Sequence, residues 1–91
     1  MAERLIIQNG TVVTPAAVLE ADVLVDGGRI AGVVEPGAVA WPDARAIDAG
    51  GCLVFPGVVE PHTHIQLDTG IFQTVDNWEI GTRTAAFGGV T

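Results

Sequence analysis

The sequence predicts an α/β chain in two parts: a strand-rich segment over residues 1–52, and the first strand, loop and helix of a parallel α/β unit over 53–91. Three observations predict it. Short apolar stretches separated by Gly-containing turns fill the first fifty residues. A nearly unbroken apolar run then follows, Leu53-Val54-Phe55 continuing past Pro56-Gly57 as Val58-Val59, and such runs suit a strand covered on both faces. After it come a long loop, a helix and the opening of another strand at Val90-Thr91, the order of a βαβ unit.

Leu5-Ile6-Ile7 and Thr11-Val12-Val13 flank Asn9-Gly10, which predicts a hairpin because both turn positions tolerate positive φ. Asp22–Asp26 and Arg29–Val34 flank Gly27-Gly28, a second hairpin, with Val23 and Val25 sharing one strand face. Fewer than fifty residues is thin for a sandwich, so partner strands from outside this segment are expected. Glu35 to Asp43 reads as a loop from its Pro and Gly, with Trp41 packing over the sheet. Ala46-Ile47-Asp48 is a short strand ended by Gly50-Gly51. Past the apolar run, Gln66 to Asn77 is a loop. A helix is expected to begin near Thr74-Val75-Asp76, capped by Thr74 or Asp76, and to run to Phe87, where Gly88-Gly89 ends it.

Composition narrows the function. The net charge is −7, from eleven acids against four basic residues, all of them Arg. No basic cluster exists to meet phosphates, which argues against nucleic-acid or anionic-membrane partners. The one cysteine, Cys52, cannot form an internal disulfide and, beside Leu53-Val54-Phe55, is expected to be buried. The opening Met1-Ala2-Glu3-Arg4 shows no signal peptide, and no apolar run reaches the ~20 residues of a membrane span. These features fit a soluble, cytoplasmic protein.

The chemistry concentrates in Phe55-Pro56-Gly57-Val58-Val59-Glu60-Pro61-His62-Thr63-His64. Histidines at i and i+2 on an extended chain point to the same side, with Cα atoms about 6–7 Å apart. That spacing lets two imidazoles converge on one cation, each nitrogen ~2.0–2.1 Å from it. Their place after a buried strand and before a long loop is where α/β barrels build active sites. A bare His-x-His is common by chance, so its context decides.

Pro56 to His64 resembles the first-strand motif of the amidohydrolase superfamily. Gly81-Thr82-Arg83-Thr84-Ala85-Ala86-Phe87-Gly88-Gly89-Val90-Thr91 is similar to the first helix and second-strand entry of its hydantoinase and dihydropyrimidinase branch. Leu5 to Thr14 and Asp26-Gly27-Gly28-Arg29-Ile30 also match that branch, so the likeness covers nearly the whole chain. It implies a (β/α)₈ TIM barrel, of which only the first βα unit is present here, beside a small β-sandwich that residues 1–52 begin. It also implies that the chain is the N-terminal portion of a longer enzyme.

By the same resemblance, His62 and His64 are ligands of the more buried metal of a two-metal site, most often zinc, with manganese or iron as alternatives. A metal-bridged hydroxide there opens a cyclic amide, a hydantoin or dihydropyrimidine ring. Relatives also act on allantoin or dihydroorotate, and others keep the fold as non-catalytic assembly modules. The full-length protein is expected to be a homo-oligomer. The bridging carbamylated lysine, the other histidines and the catalytic Asp of the branch lie downstream, so no catalytic residue falls within these 91 and the chain alone is expected to be inactive. Leu67 and Phe72 lie where the branch shapes its substrate pocket, although both also suit ordinary packing. Asp68 suits either a partner to a metal ligand or a solvated loop charge. One departure stands out: Glu60 occupies the place where the family usually has Asp.

Overall fold

The computed structural model describes residues 3–91, whose contacts divide into two compact units, one ending at Pro56 and the other Gly57–Thr91. Met1 and Ala2 lie outside the described residues. The division falls after the expected boundary at Cys52-Leu53, because Leu53 and Val54 pair with the first strand. No helix among the described residues is long and apolar enough to cross a membrane.

The first unit is a mixed five-stranded sheet. Its strands are β1 (Arg4–Val13), β2 (Val18–Asp26), β3 (Arg29–Val34), β4 (Arg45–Asp48) and β5 (Leu53–Val54). The order is β3-β2-β1-β4, and β5 also lies along β1. β2 runs antiparallel to β1 and β3, whereas β4 and β5 run parallel to β1. Val12, Ala21 and Val23 form the buried centre, with Ile7, Val25 and Val54 packed against them. The expected Gly27-Gly28 hairpin is present: both glycines have positive φ, 59° and 78°, and Asp26 pairs with Arg29 across a two-residue turn.

Asn9-Gly10 does not turn the chain. β1 runs through it, and its two apolar arms pair with β2 rather than with each other, from Leu5 opposite Val25 to Val13 opposite Val18. The positive φ of Asn9, 65°, serves a bulge instead, where Gln8 and Asn9 together stand opposite Asp22. A Cβ on Gly10 would lie 2.6 Å from Val54 Cγ2 and 3.1 Å from Ala49 Cβ, so close packing accounts for this glycine. The true β1–β2 turn is closed by the Thr14 hydroxyl, which accepts from the Ala17 N–H at 3.0 Å. Trp41 is half-buried, with the Arg4 guanidinium 5.2 Å over its ring.

The bulge is also a junction. Asp22, only 2% exposed, accepts from the Asn9 N–H at 3.3 Å through Oδ1 and from the Gly37 N–H at 3.0 Å through Oδ2. The Asn9 amide donates to Asp48 Oδ1 at 3.1 Å, where β4 ends and the chain turns toward β5. The Gly50 N–H and then the Asn9 amide, both donating to Asp48, hold its carboxyl below the ordinary 3.8. A lowered native value stabilises the fold above 3.8 and loses that contribution as pH falls through the native value. Asp48→Asn is therefore expected to flatten the acid limb of the unfolding free energy below pH 3.8, leaving its shape above pH 5 unchanged. Urea titrations across that range check it.

Cys52 is exposed rather than buried. It lies in the turn into β5, where its N–H donates to Ala49 O and its carbonyl accepts from the Thr11 N–H. No strand covers its outer side among the described residues. The apolar run Leu53 to Val59 is likewise not one covered strand. It divides at Pro56, whose ring nitrogen cannot donate to a ladder, and Val58 and Val59 are exposed in the second unit.

In the second unit, Val58 forms a parallel bridge with Val90, and between them runs α1 (Trp78–Phe87). The order of the two bridge residues and the helix is the expected one, but neither expected strand forms beyond this single bridge. The helix begins later than expected. Its cap is Asn77, neither Thr74 nor Asp76: Asn77 Oδ1 accepts from the Ile80 N–H at 2.9 Å. Thr74 is already engaged, its hydroxyl accepting from the Leu67 N–H at 2.9 Å. Gly88 and Gly89 end the helix as expected. Among the described residues of this unit only Gly81 is buried, set against Ile65 and Asp76.

Candidate metal centre

His62 and His64 follow the Val58 bridge, in irregular backbone rather than in a regular strand. One bridging pair is too little to hold the extended run as a ladder. The side chains nevertheless fall on the same side, as i and i+2 positions of an extended chain do. Their Nε2 atoms stand 3.1 Å apart, with ring centroids at 5.1 Å and planes at 62°. Two bare nitrogen lone pairs repel at that distance. Either one ring carries a proton directed at the other, or a cation lies between them.

The separation is that of a ring N–H donating to the other ring's nitrogen, and it also suits a shared cation. Two donors each ~2.0–2.1 Å from one cation lie about 2.9 Å apart at a right angle and about 3.4 Å apart at the tetrahedral angle. The observed 3.1 Å lies between these limits. Both rings are exposed, and no group of three potential ligands comes together among the described residues. The donor set present is therefore two imidazoles, which zinc, manganese and iron all accept.

Glu60 is not aimed at the imidazole nitrogens. Its Oε1 accepts from the backbone N–H of His62 at 2.9 Å. The loop that follows is more ordered than its composition suggests. Asp68 bridges Gln73, Thr69 and Phe72 close its tip, and the Thr74 N–H donates to Leu67 O. Asp68 accepts from the Gly70 N–H at 2.9 Å, the work of a turn residue. Leu67 is 38% exposed and Phe72 77% exposed, so Phe72 in particular is not packed into a core. Gln66, which the sequence did not single out, has φ 54° and accepts from the first helical N–H, that of Trp78, at 3.0 Å. A left-handed Gln leaves no mark in a single sequence. A hollow in this unit is lined by Glu60, Thr63, His64, Ile65, Asp76 and Trp78, among others.

Comparison with known proteins decides the family. A D-hydantoinase of Geobacillus stearothermophilus is 46% identical over 86 residues, covering 94% of this chain and 18% of that protein. Dihydropyrimidinase 1 of Caenorhabditis elegans is 44% identical over 91 residues, covering 100% of this chain and 18% of its own length. The chain matches the hydantoinase and dihydropyrimidinase branch along nearly its whole length. A crystal structure of a D-hydantoinase superposes with a TM-score of 0.87 at 44% identity, over 97% of this chain and 19% of that one. No family model matches. The chain spans about a fifth of the length of the curated relatives it matches.

Proposed function

We propose that the protein to which this chain contributes is a metal-dependent hydrolase of cyclic amides, hydantoins or dihydropyrimidines, with His62 and His64 as two of its metal ligands. The observation that carries this reading is the 3.1 Å approach of the two Nε2 atoms, in a chain that is hydantoinase-like along its whole length. Divalent metal ions, when bound, activate water and polarise the amide carbonyl. The residues present do the holding: each imidazole offers one nitrogen, and the Glu60 carboxylate fixes the peptide before the first ring.

On this reading the second unit is the first βα step of a (β/α)₈ barrel. The parallel Val58–Val90 bridge across α1 supports it, as does the position of both histidines beyond the C-terminal end of Val58. The five-stranded sheet is then part of the companion sandwich. Phe72, and less so Leu67, is free to meet a ring substituent, since neither is fully packed. Two imidazoles are the only ligands that cluster among the described residues, and on this reading the 91-residue chain by itself is expected to open no ring.

Loss of the ring amide absorbance of hydantoin and dihydrouracil, with and without a chelator, tests the reading on the protein as its gene encodes it and on the 91-residue chain. Chelator-sensitive ring opening by the whole protein and none by the chain is expected. Ring opening by the chain, or turnover indifferent to the chelator, would overturn it.

A further inference from the structure

We infer that Glu60 is a positioning residue for the histidine pair, acting through one carboxyl oxygen as an acceptor for the His62 backbone rather than through its charge or as a ligand. This rests on reading His62 and His64 as metal ligands.

The contact is specific in form. Glu60 Oε1 accepts from the N–H two residues ahead, at 2.9 Å. Among the described residues two other carboxylates make the same i to i+2 contact, Asp48 Oδ1 accepting from the Gly50 N–H and Asp68 Oδ1 from the Gly70 N–H, each at 2.9 Å. An aspartate makes this closure routinely, because its short side chain mimics a turn of backbone. Glu60 makes it with one more methylene. The closed ring spans Glu60, Pro61 and His62, and Pro61 fixes its own φ inside it. The backbone entering the His62-Thr63-His64 segment is thereby held at two points, in a stretch without ladder pairing beyond Val58. The two rings need such a hold: both are exposed, and each has the other as its side-chain partner.

Asp and Glu are therefore interchangeable at this place, because both present an acceptor to the same N–H. Charge is secondary, since the amide oxygen of Gln accepts equally well. Partners that orient metal-binding histidines typically contribute about 10–100-fold in affinity.

The test is Co(II) binding to the 91-residue chain, followed by its visible absorption, with the backbone amide shift of His62 read by NMR and folding checked by circular dichroism. Glu60→Asp and Glu60→Gln are expected to stay within about 3-fold of the parent, and Glu60→Ala to weaken binding by about 10–100-fold with a displaced His62 amide resonance. If Glu60→Ala binds as the parent does, the positioning role falls while the metal reading stands. If Glu60→Gln is as weak as Glu60→Ala, the charge is what matters and the inference is wrong. Should Glu60→Ala fail to fold, the Asp and Gln variants decide alone: both must retain affinity and the parent amide shift. If the parent chain binds Co(II) equally after His62→Ala, the metal reading falls and the positioning role with it; if the parent chain binds none, the same variants are compared in the protein as its gene encodes it, where absence of binding ends the metal reading.

Discussion

His62→Ala or His64→Ala is expected to weaken Co(II) or Zn(II) binding by more than the roughly 10–100-fold that loss of an orienting partner costs, because each removes a donor outright. The double variant should bind no more tightly than exposed carboxylates do. Either substitution also ends the 3.1 Å Nε2 approach, which has no purpose for one ring alone. Both residues are exposed, so stability should hardly change. That separation is the diagnostic feature: a large loss of metal with an unchanged unfolding midpoint. Equilibrium dialysis against the metal, with thermal unfolding of the same samples, checks it. A variant that loses metal only because it unfolds would not count in favour.

Asp22→Ala is expected to have the opposite profile, costing about 3 kcal/mol of stability and leaving metal affinity nearly unchanged in whatever remains folded. Two N–H groups, those of Asn9 and Gly37, donate to this buried carboxylate, and its removal strands both. Each orphaned donor costs about 1–3 kcal/mol. For a chain of this size the midpoint of thermal unfolding should fall by more than about 10 °C. Asp22→Asn keeps the shape and one acceptor but turns an amide donor toward one of the N–H groups, so it should fall between. A loss within about 0.5 kcal/mol for the alanine variant would show that water replaces the carboxylate at the bulge.

The legible parts of this chain were those decided by a few neighbouring residues. Gly27-Gly28 gives a two-residue turn wherever two strands flank it, and the helix stop at Gly88-Gly89 is equally local. The i, i+2 spacing of His62 and His64 predicts a shared side, and the two rings do meet, although in irregular backbone. Asn9-Gly10 misled because its local preference for positive φ was met, but by a bulge. Which of turn or bulge forms is decided by β2, a strand the dipeptide cannot report. Asp22 stands opposite that bulge and is buried there, accepting from the Asn9 and Gly37 N–H groups, partners that the strand pattern does not announce.

At the second unit the difficulty was competition among equivalent caps. Thr74, Asp76 and Asn77 are all good N-cap residues, and Thr74 is drawn off by the hairpin it closes with Leu67. Glu60 was visible as a departure, yet its partner was not, because a carboxylate that reaches a backbone N–H is indistinguishable in sequence from one that reaches a metal. Apolar neighbours predict burial for Cys52 and the run Leu53 to Val59. Burial depends on covering elements, and the five-stranded sheet offers Cys52 none.

The most direct test of the central claim is X-ray absorption at the zinc edge on the zinc-loaded 91-residue chain and its His62→Ala/His64→Ala counterpart. The account predicts two imidazole nitrogens at ~2.0–2.1 Å in the parent and their disappearance in the double variant. A parent spectrum without imidazole scattering, or one that the double variant reproduces, would contradict it.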